Sequence, residues 1–212
     1  DVSSLLDNSK YSLVEKKLDT LYAMARETNS DRLFAEYYNL HGTLNKDLAK
    51  IKDAIYDYSK AAELYEKLKN PSSMAGAFIN LGAIYNGLEE YKKSLSYYFK
   101  AMKIYQSGIK NVSIGILYNN IGSSYQKQQQ YSNSNYYLQK AFKIAKVNKD
   151  SMLAAMSTHN LGVNYSESKD YDSAIVYYNN SLNFIKHYAE GPGHIFNYKQ
   201  IGEAYYYLNK PD

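Results

Sequence analysis

The sequence predicts an all-α solenoid of antiparallel helix pairs, and three observations lead to this fold class. A short motif centred on glycine recurs every 40 residues along the 212-residue chain. Apolar residues around each glycine follow the spacing of about 3.6 residues that is typical of an amphipathic helix. Turn-forming residues separate these helical segments at short intervals. A single helix pair cannot bury its apolar face alone, so stacked repeats are expected to share one core.

The glycine motif marks the first helix of each repeat. It occupies residues 80–85, 120–125, 160–165 and 200–205, and Gly42 continues the series toward the N-terminus. A second motif marks the second helix of each repeat, because a tyrosine follows three of the glycines by nine residues, with small residues at fixed distances beyond it. These tyrosines are Tyr91, Tyr131 and Tyr171. The intervening turns are short enough to make the two helices of a repeat antiparallel.

The two motifs give the predicted elements in chain order. Residues 11–28 carry an apolar stripe that includes Leu18, Leu21 and Ala25, and we predict one N-terminal helix there. Complete repeats are predicted at residues 33–69, 72–108, 112–148 and 151–187, followed by a half repeat at 194–209. Together these elements form a single predicted domain of about 4.5 repeats over residues 1–212. Because no second helix follows the half repeat, we expect the segment to belong to a longer chain.

The recurring glycines predict close contacts between helices. A glycine in the middle of a helix is destabilising by about 0.8–1 kcal/mol relative to alanine, so its recurrence needs a compensating contact. We predict that the second helix of each repeat approaches closely there and presents a small residue to the glycine. The positions concerned are Gly82, Gly122, Gly162 and Gly202.

These motifs resemble the tetratricopeptide repeat family, whose pattern is an aromatic residue, Leu-Gly and Tyr, followed by Ala, an aromatic residue and Ala. The match is most specific at residues 75–107, 115–147 and 155–187. The resemblance implies a right-handed superhelix that binds proteins or peptides without catalysis. The spacing of 40 residues exceeds the family's usual unit of about 34. This long-period array resembles the repeat arms of bacterial sensor kinases and transcriptional regulators, which implies a sensory or regulatory arm.

Composition excludes several function classes. The absence of cysteine excludes disulfides, cysteine-ligated metals and thiol catalysis. No metalloprotease, serine hydrolase or P-loop motif occurs, and the four histidines are scattered, so we predict no enzyme activity, no cofactor and no metal site. A net charge of +4 is too small to indicate nucleic-acid binding. No apolar run is long enough for a membrane span, so the expected partner is a protein or peptide.

The resemblance implies that the first helices line a concave groove that holds the ligand. Counting from the motif glycine assigns seven main groove residues: Asn39, Asn86, Asn119, Ser123, Gln126, His159 and Lys199. The same counting adds Thr43, Lys46, Ile79, Ala83, Val163, Ser166, Glu203 and Tyr206. Amide side chains can both donate to and accept from a peptide backbone, which suits this role. The alternative is that these residues are only solvated polar side chains.

A second candidate surface is basic. From Tyr91 to Lys149 the chain has ten lysines and no acidic residue. Five lysines at related positions on successive second helices form a predicted ladder on the convex face: Lys60, Lys100, Lys103, Lys140 and Lys143. An acidic partner or an anionic surface could bind there, or the face could simply be solvated. Arginine occurs only at Arg26 and Arg32, which argues against nucleic acid.

Two functions therefore remain open on sequence grounds. The first is a non-catalytic binding arm of a bacterial signalling or transcription-regulating protein. The alternative is a stand-alone scaffold that assembles with itself or with an acidic partner, through the lysine ladder or through the exposed C-terminal helix. The compartment is open between cytoplasm and periplasm, and a flanking signal peptide with a membrane helix would indicate the periplasm.

Overall fold

The computed structural model describes residues 2–108, 114–186 and 192–208, with side chains at all of these except 2–10, 192–194 and 196. All regular secondary structure in these ranges is helical. The helices are α1 (Val2–Glu27), α2 (Asp31–Asp47), α3 (Ile51–Lys67), α4 (Pro71–Gly87), α5 (Tyr91–Gln106), α6 (Ile114–Lys127), α7 (Tyr131–Asn148), α8 (Ser151–Glu167), α9 (Tyr171–Ile185) and α10 (Pro192–Leu208).

The helices belong to two compact units, Asp1–Asn111 and Val112–Asp212. In the first unit α2 pairs with α3 and α4 with α5, while α1 packs on α2 and α3 packs on α4. In the second unit α6 pairs with α7 and α8 with α9, α7 packs on α8, and α10 packs on α9. The first helices α6 and α8 also touch each other. The predicted all-α architecture of helix pairs is therefore confirmed.

Turns of two or three residues join α1 through α5 and α6 through α9, and each of these turns contains a residue in the left-handed conformation. These residues are Asn29, Ala49, Lys69, Glu89, Gln129, Lys149 and Lys169, with φ between 48° and 62°. The next amide donates back into the preceding helix, as Lys50 N–H does to the Asn45 carbonyl at 2.8 Å. This is the Schellman arrangement, which satisfies the last carbonyl groups of a helix. Side-chain oxygens of Ser30, Asn70, Asp150 and Asp170 cap the helix that follows.

The ends of two helices differ from the predicted boundaries. The first helix begins at Val2 rather than at residue 11, because a helix, once nucleated, extends without needing an apolar stripe. The last helix begins at Pro192, two residues before the expected start. Proline is accepted in the first turn of a helix because its missing N–H would have no partner there. None of the helices in the described ranges is long and apolar enough to cross a membrane.

A large buried side chain at the centre of each second helix forms the core. Tyr58, Tyr98, Leu138 and Tyr178 are each at most 1% exposed. Burial raises the pKa of Tyr98 and of Tyr178 to about 12, because the ionised phenol would be desolvated. Tyr58, Tyr98 and Tyr178 therefore serve as core residues.

These side chains lie directly over the motif glycines, which corrects the expectation that small residues do so. A Cβ atom at Gly122 would lie 2.7 Å from Leu138 Cγ, and one at Gly162 would lie 2.6 Å from Tyr178 Cδ1. Tyr98 covers Gly82 in the same way. At Gly202 the predicted close contact is wrong, since nothing lies within 4 Å of the Cβ position.

Candidate binding surfaces

One residue after each motif glycine, the first helices present mainly small side chains. Ala83 and Glu203 are exposed, while Thr43, Ser123 and Val163 are half-buried. We call Thr43 and Ala83 the first-helix strip of the first unit, and Ser123 and Val163 that of the second unit. Because α6 and α8 touch, Ser123 and Val163 lie on neighbouring helices of one unit. Each strip leaves its helix backbone open to close approach.

Asn119, a predicted groove residue, lies inside the packing between α6 and α8. Its side chain is 3% exposed. Its Oδ1 accepts a hydrogen bond from Asn160 Nδ2 at 3.3 Å and lies 3.5 Å from the hydroxyl of Ser157. The amide therefore joins two first helices.

Gln126 extends the same polar contact along α6. Its Nε2 donates to the Asn160 carbonyl at 2.8 Å and to Asn164 Oδ1 at 2.6 Å. Asn164 is 1% exposed and donates in turn to Ser134 Oγ and to Asn135 Oδ1, both at 2.7 Å. This network connects α6, α7 and α8 and satisfies the buried amide of Asn164.

His159 makes the corresponding contact between α8 and α10. Its Nδ1 lies 2.9 Å from Oδ1 of Asn197, which is 3% exposed. Burial lowers the pKa of His159, and the hydrogen bond to Asn197 opposes that shift. The neutral imidazole is thus favoured, with its Nδ1 as the donor.

The other predicted groove residues are more accessible. Asn39 and Asn86 are half-buried in the first unit, and Ser123 is half-buried in the second. Lys199 is exposed and pairs with Glu203 at 3.7 Å. Of the seven main groove residues predicted, the structure thus brings Asn119 and Gln126 to the α6/α8 contact and His159 to the α8/α10 contact.

The five ladder lysines differ in their surroundings. Lys100 Nζ lies 4.9 Å from the ring centroid of Tyr97, and Lys140 Nζ lies 4.3 Å from that of Tyr136. Lys60 pairs with Glu63 at 2.7 Å, and this hydrogen bond raises its pKa. Lys103 and Lys143 are exposed. Lys100 and Lys140 therefore cover aromatic surface through cation–π contacts.

A polar cluster in the first unit was not predicted from the sequence. Asp57 is 4% exposed, and its Oδ2 lies 2.8 Å from both His41 Nδ1 and Asn45 Nδ2. Tyr37 stacks on the His41 ring with the centroids 5.1 Å apart. Burial raises the pKa of Asp57, while Asn45 and His41 act to lower it and Asp53 adds to the rise.

A break in the tyrosine series could have revealed this cluster. Asn45 and Asp57 occupy the positions at which the later repeats have two tyrosines. Those tyrosines stack in pairs, with ring centroids 5.1 to 5.8 Å apart. The pairs are Tyr85 with Tyr97, Tyr125 with Tyr137, and Tyr165 with Tyr177. Within the part of the chain that the structure describes, no three His, Asp or Glu side chains gather into a metal-binding group. Of the four histidines, His187 and the side chain of His194 lie outside that part.

An open cavity of about 450 Å³ lies between α1 and α2. Its lining consists of Tyr11, Val14, Lys17, Leu18, Leu21, Leu40, Thr43, Leu44 and Asp47. Leu18 and Leu44 are its most buried members, at 5% and 7% exposure, whereas Leu40 is 52% exposed. The cavity is therefore mainly apolar, with one lysine and one aspartate among its lining residues.

Known proteins resemble the chain in sequence pattern and in fold. The sequence profile of the tetratricopeptide repeat matches residues 73–146 and 113–187. No curated protein matches the sequence. The crystal structure of BtubC (BKLC) from P. vanneervenii has a TM-score of 0.79 at 16% identity, covering 95% of this chain and 84% of that one.

Two further solved structures are longer than this chain. Aspartyl phosphate phosphatase F from Bacillus subtilis has a TM-score of 0.76 at 20% identity, and the apo form of RapI has 0.73 at 16%. The matches cover 90% and 92% of this chain, but only 50% and 54% of those proteins. At these identities the likeness shows the fold alone.

Proposed function

Because the chain belongs to the tetratricopeptide repeat family, we propose that it is a non-catalytic module that binds a protein or peptide. We further propose that it serves as the sensory or regulatory arm of a bacterial signalling or transcription-regulating protein. The 40-residue spacing of the motif, which resembles that of the repeat arms of such proteins, supports this second proposal. Helical repeats of this kind offer extended surfaces rather than enclosed catalytic pockets.

The first-helix strips carry this proposal. Ser123 and Val163 are small, partly accessible and lie on contacting helices of the second unit. Small side chains leave room for an extended or helical segment to approach the helix surface. Ser166, one turn further along α8, is half-buried and adds a polar group beside the strip. Such a surface can combine shape recognition with a few hydrogen bonds.

The amide side chains between α6 and α8 stabilise this surface rather than contact the ligand. Asn119, Gln126 and Asn164 hold α6 at a fixed position against α8 through side-chain hydrogen bonds. A strip whose helices are held in place loses little conformational entropy when a ligand binds. We therefore assign Asn119 and Gln126 to positioning, and Ser123 and Val163 to contact.

A random peptide library displayed on phage tests the proposal. Peptides selected on the parent chain should lose binding to a Ser123→Arg, Val163→Arg double variant, because two long charged side chains would fill the strip. A matched control, Ser132→Arg with Val176→Arg, places the same changes at exposed positions of the second helices α7 and α9. It should retain binding. Equal binding by both double variants would refute the role of the strip.

The lysine ladder supports a second candidate function as a scaffold for an acidic partner. Lys103 in α5 and Lys143 in α7 expose their side chains, unlike Lys60, which is paired with Glu63. Polyglutamate is a suitable probe, since its binding should weaken with salt. Lys103→Glu with Lys143→Glu should abolish that binding and leave peptide binding at the strip unchanged. Unchanged polyglutamate binding would rule the ladder out.

A further inference from the structure

We propose that α10 of one copy of the chain docks into the cavity between α1 and α2 of a second copy, giving head-to-tail self-association. This contact is separate from the first-helix strip of the second unit, Ser123 and Val163, whereas Thr43 of the first-unit strip lines the cavity. The occupant, a helix of the chain itself, is inferred from the correspondence between the two surfaces.

The cavity corresponds to the place that a first helix takes elsewhere in the fold. In the second unit α6 lies against α7 and α8, where Gly122 faces Leu138 and Gln126 contacts Asn160 and Asn164. Three repeats earlier, the positions of Leu138, Asn160 and Asn164 are held by cavity-lining residues. These residues are Leu18, Leu40 and Leu44. The α1/α2 cavity therefore corresponds to a packing site for a first helix.

The last helix, α10, has the features of a first helix, and its exposed face could pack into the α1/α2 cavity. Gly202 corresponds to Gly122, and nothing lies within 4 Å of its Cβ position. Around it, Ile195 is 70% exposed and Tyr198 is 58% exposed. Exposed apolar side chains concentrated on one helix favour an interface with another protein. Leu18 of a second copy would cover Gly202 as Leu138 covers Gly122.

Both surfaces of the proposed contact are less polar than the corresponding surfaces of the α6/α8 contact. Inside the second unit a polar residue, Gln126, meets two asparagines across the helix contact. In the proposed contact, Tyr206 stands in the place of Gln126, and it would meet Leu40 and Leu44. Tyr206 is 63% exposed and Leu40 is 52% exposed. A tyrosine that faces two leucines therefore replaces a glutamine that faces two asparagines.

A cation–π contact across the proposed interface gives a second argument for the same register. Lys17, which lines the cavity, stands where Tyr137 lies in α7, and Tyr137 packs against Tyr118 and Tyr125. The matching residues on α10 are Tyr198 and Tyr205, which are 58% and 49% exposed. A lysine between two tyrosine rings makes favourable cation–π contacts. In this chain Lys93 Nζ already lies 4.0 Å from the Tyr85 ring centroid.

The proposed contact joins two different surfaces and is therefore heterologous. Each added copy presents one further α10 and one further α1/α2 cavity to the next copy. Such contacts produce rings or open filaments rather than two-fold dimers. The average mass of the assembly should then rise with protein concentration.

Sedimentation velocity of the 212-residue chain across a concentration series tests this proposal. The parent should form assemblies larger than a dimer. Gly202→Leu should abolish assembly by filling the space reserved for Leu18, and Leu40→Glu should abolish it from the cavity side. Matched controls are Gly76→Leu, at a helical glycine with nothing within 4 Å of its Cβ position, and Leu88→Glu, at a leucine that is 44% exposed. Both controls should assemble like the parent.

Mixing the two inactive variants gives the most specific outcome. The intact α10 of the Leu40→Glu copy should enter the intact cavity of the Gly202→Leu copy, giving a heterodimer and nothing larger. Tyr198→Asp serves as a second α10 variant, and circular dichroism verifies that each variant is folded. A monomeric parent would overturn the proposal and leave the cavity to a partner helix or a flanking segment. Assembly that persists in both variants, or a mixture that stays monomeric, would also overturn it.

Discussion

His41 Nδ1 lies 2.8 Å from Oδ2 of Asp57, a residue that stands where later repeats have one tyrosine of a stacked pair. Asn45 donates to the same oxygen at 2.8 Å. Two hydrogen bonds support the carboxylate, yet burial still raises the pKa of Asp57, so desolvation outweighs them. The packing of α2 on α3 thus depends on the protonation state of a buried acid.

We expect Asp57→Asn to raise the melting temperature at neutral pH. The folded-state pKa of Asp57 is raised above the unfolded value of about 3.9, so its ionised form destabilises the fold above that range and not below it. The advantage of the variant should therefore shrink as the pH falls toward about 4. Thermal unfolding of both proteins across this range is the measurement. A parent more stable than Asp57→Asn at neutral pH would show that the charge is net stabilising.

Two alanine substitutions in the same helix test the close contact at the motif glycine. Gly82→Ala should destabilise by about 1–3 kcal/mol, because the new Cβ would overlap the Tyr98 ring. Gly76→Ala, also in α4, should instead stabilise by about 0.5–1 kcal/mol, since nothing lies within 4 Å of its Cβ position. Urea unfolding gives both free energies. Equal effects at the two positions would contradict the packing explanation.

Asn164→Ala should destabilise the protein by about 1–3 kcal/mol, because it removes a side chain that makes three hydrogen bonds in a buried network. Asn180→Ala, at an exposed position of α9, is the matched control and should change stability by less than about 0.5 kcal/mol. Denaturant unfolding of the two variants measures the difference. A loss at Asn164 no larger than that at Asn180 would mean that the network adds little to stability.

Acidification should loosen α10. Burial lowers the folded-state pKa of His159, so its contact with Asn197 is fully stabilising above the unfolded histidine pKa of about 6.5 and weakens as the pH falls below it. Hydrogen-exchange protection factors in residues 198–208 should fall across this range. His159→Gln should remove the pH dependence, whereas His41→Gln, in the other unit, should keep it. Protection that is independent of pH in the parent would contradict this role.

Periodicity in the sequence was sufficient to predict the helix pairs and the tight contacts at Gly82, Gly122 and Gly162. It did not predict which residue covers each glycine, because the spacing along one helix does not define which side chain of the neighbouring helix contacts it. The large residues Tyr98 and Tyr178 fit there for the very reason that the glycine has no side chain.

The candidate site was harder to predict for a related reason. Counting from the glycine gives the angular position of Asn119 on its own helix, but not how close the next first helix lies. In the structure α8 covers Asn119, which is 3% exposed, whereas Ser123 one turn later stays partly accessible. Contacts between repeats depend on side chains distant in sequence, and a single helix pattern carries no information about them.

The three-residue turns have a consequence for how the gene can change. In the first unit α2, α3, α4 and α5 begin at Asp31, Ile51, Pro71 and Tyr91, so each helix with its turn spans the same 20 residues. A duplication or deletion of 40 codons preserves this 20-residue spacing wherever its breakpoints fall, even in the middle of a helix. Unequal recombination can therefore lengthen or shorten the array without disturbing a single helix end.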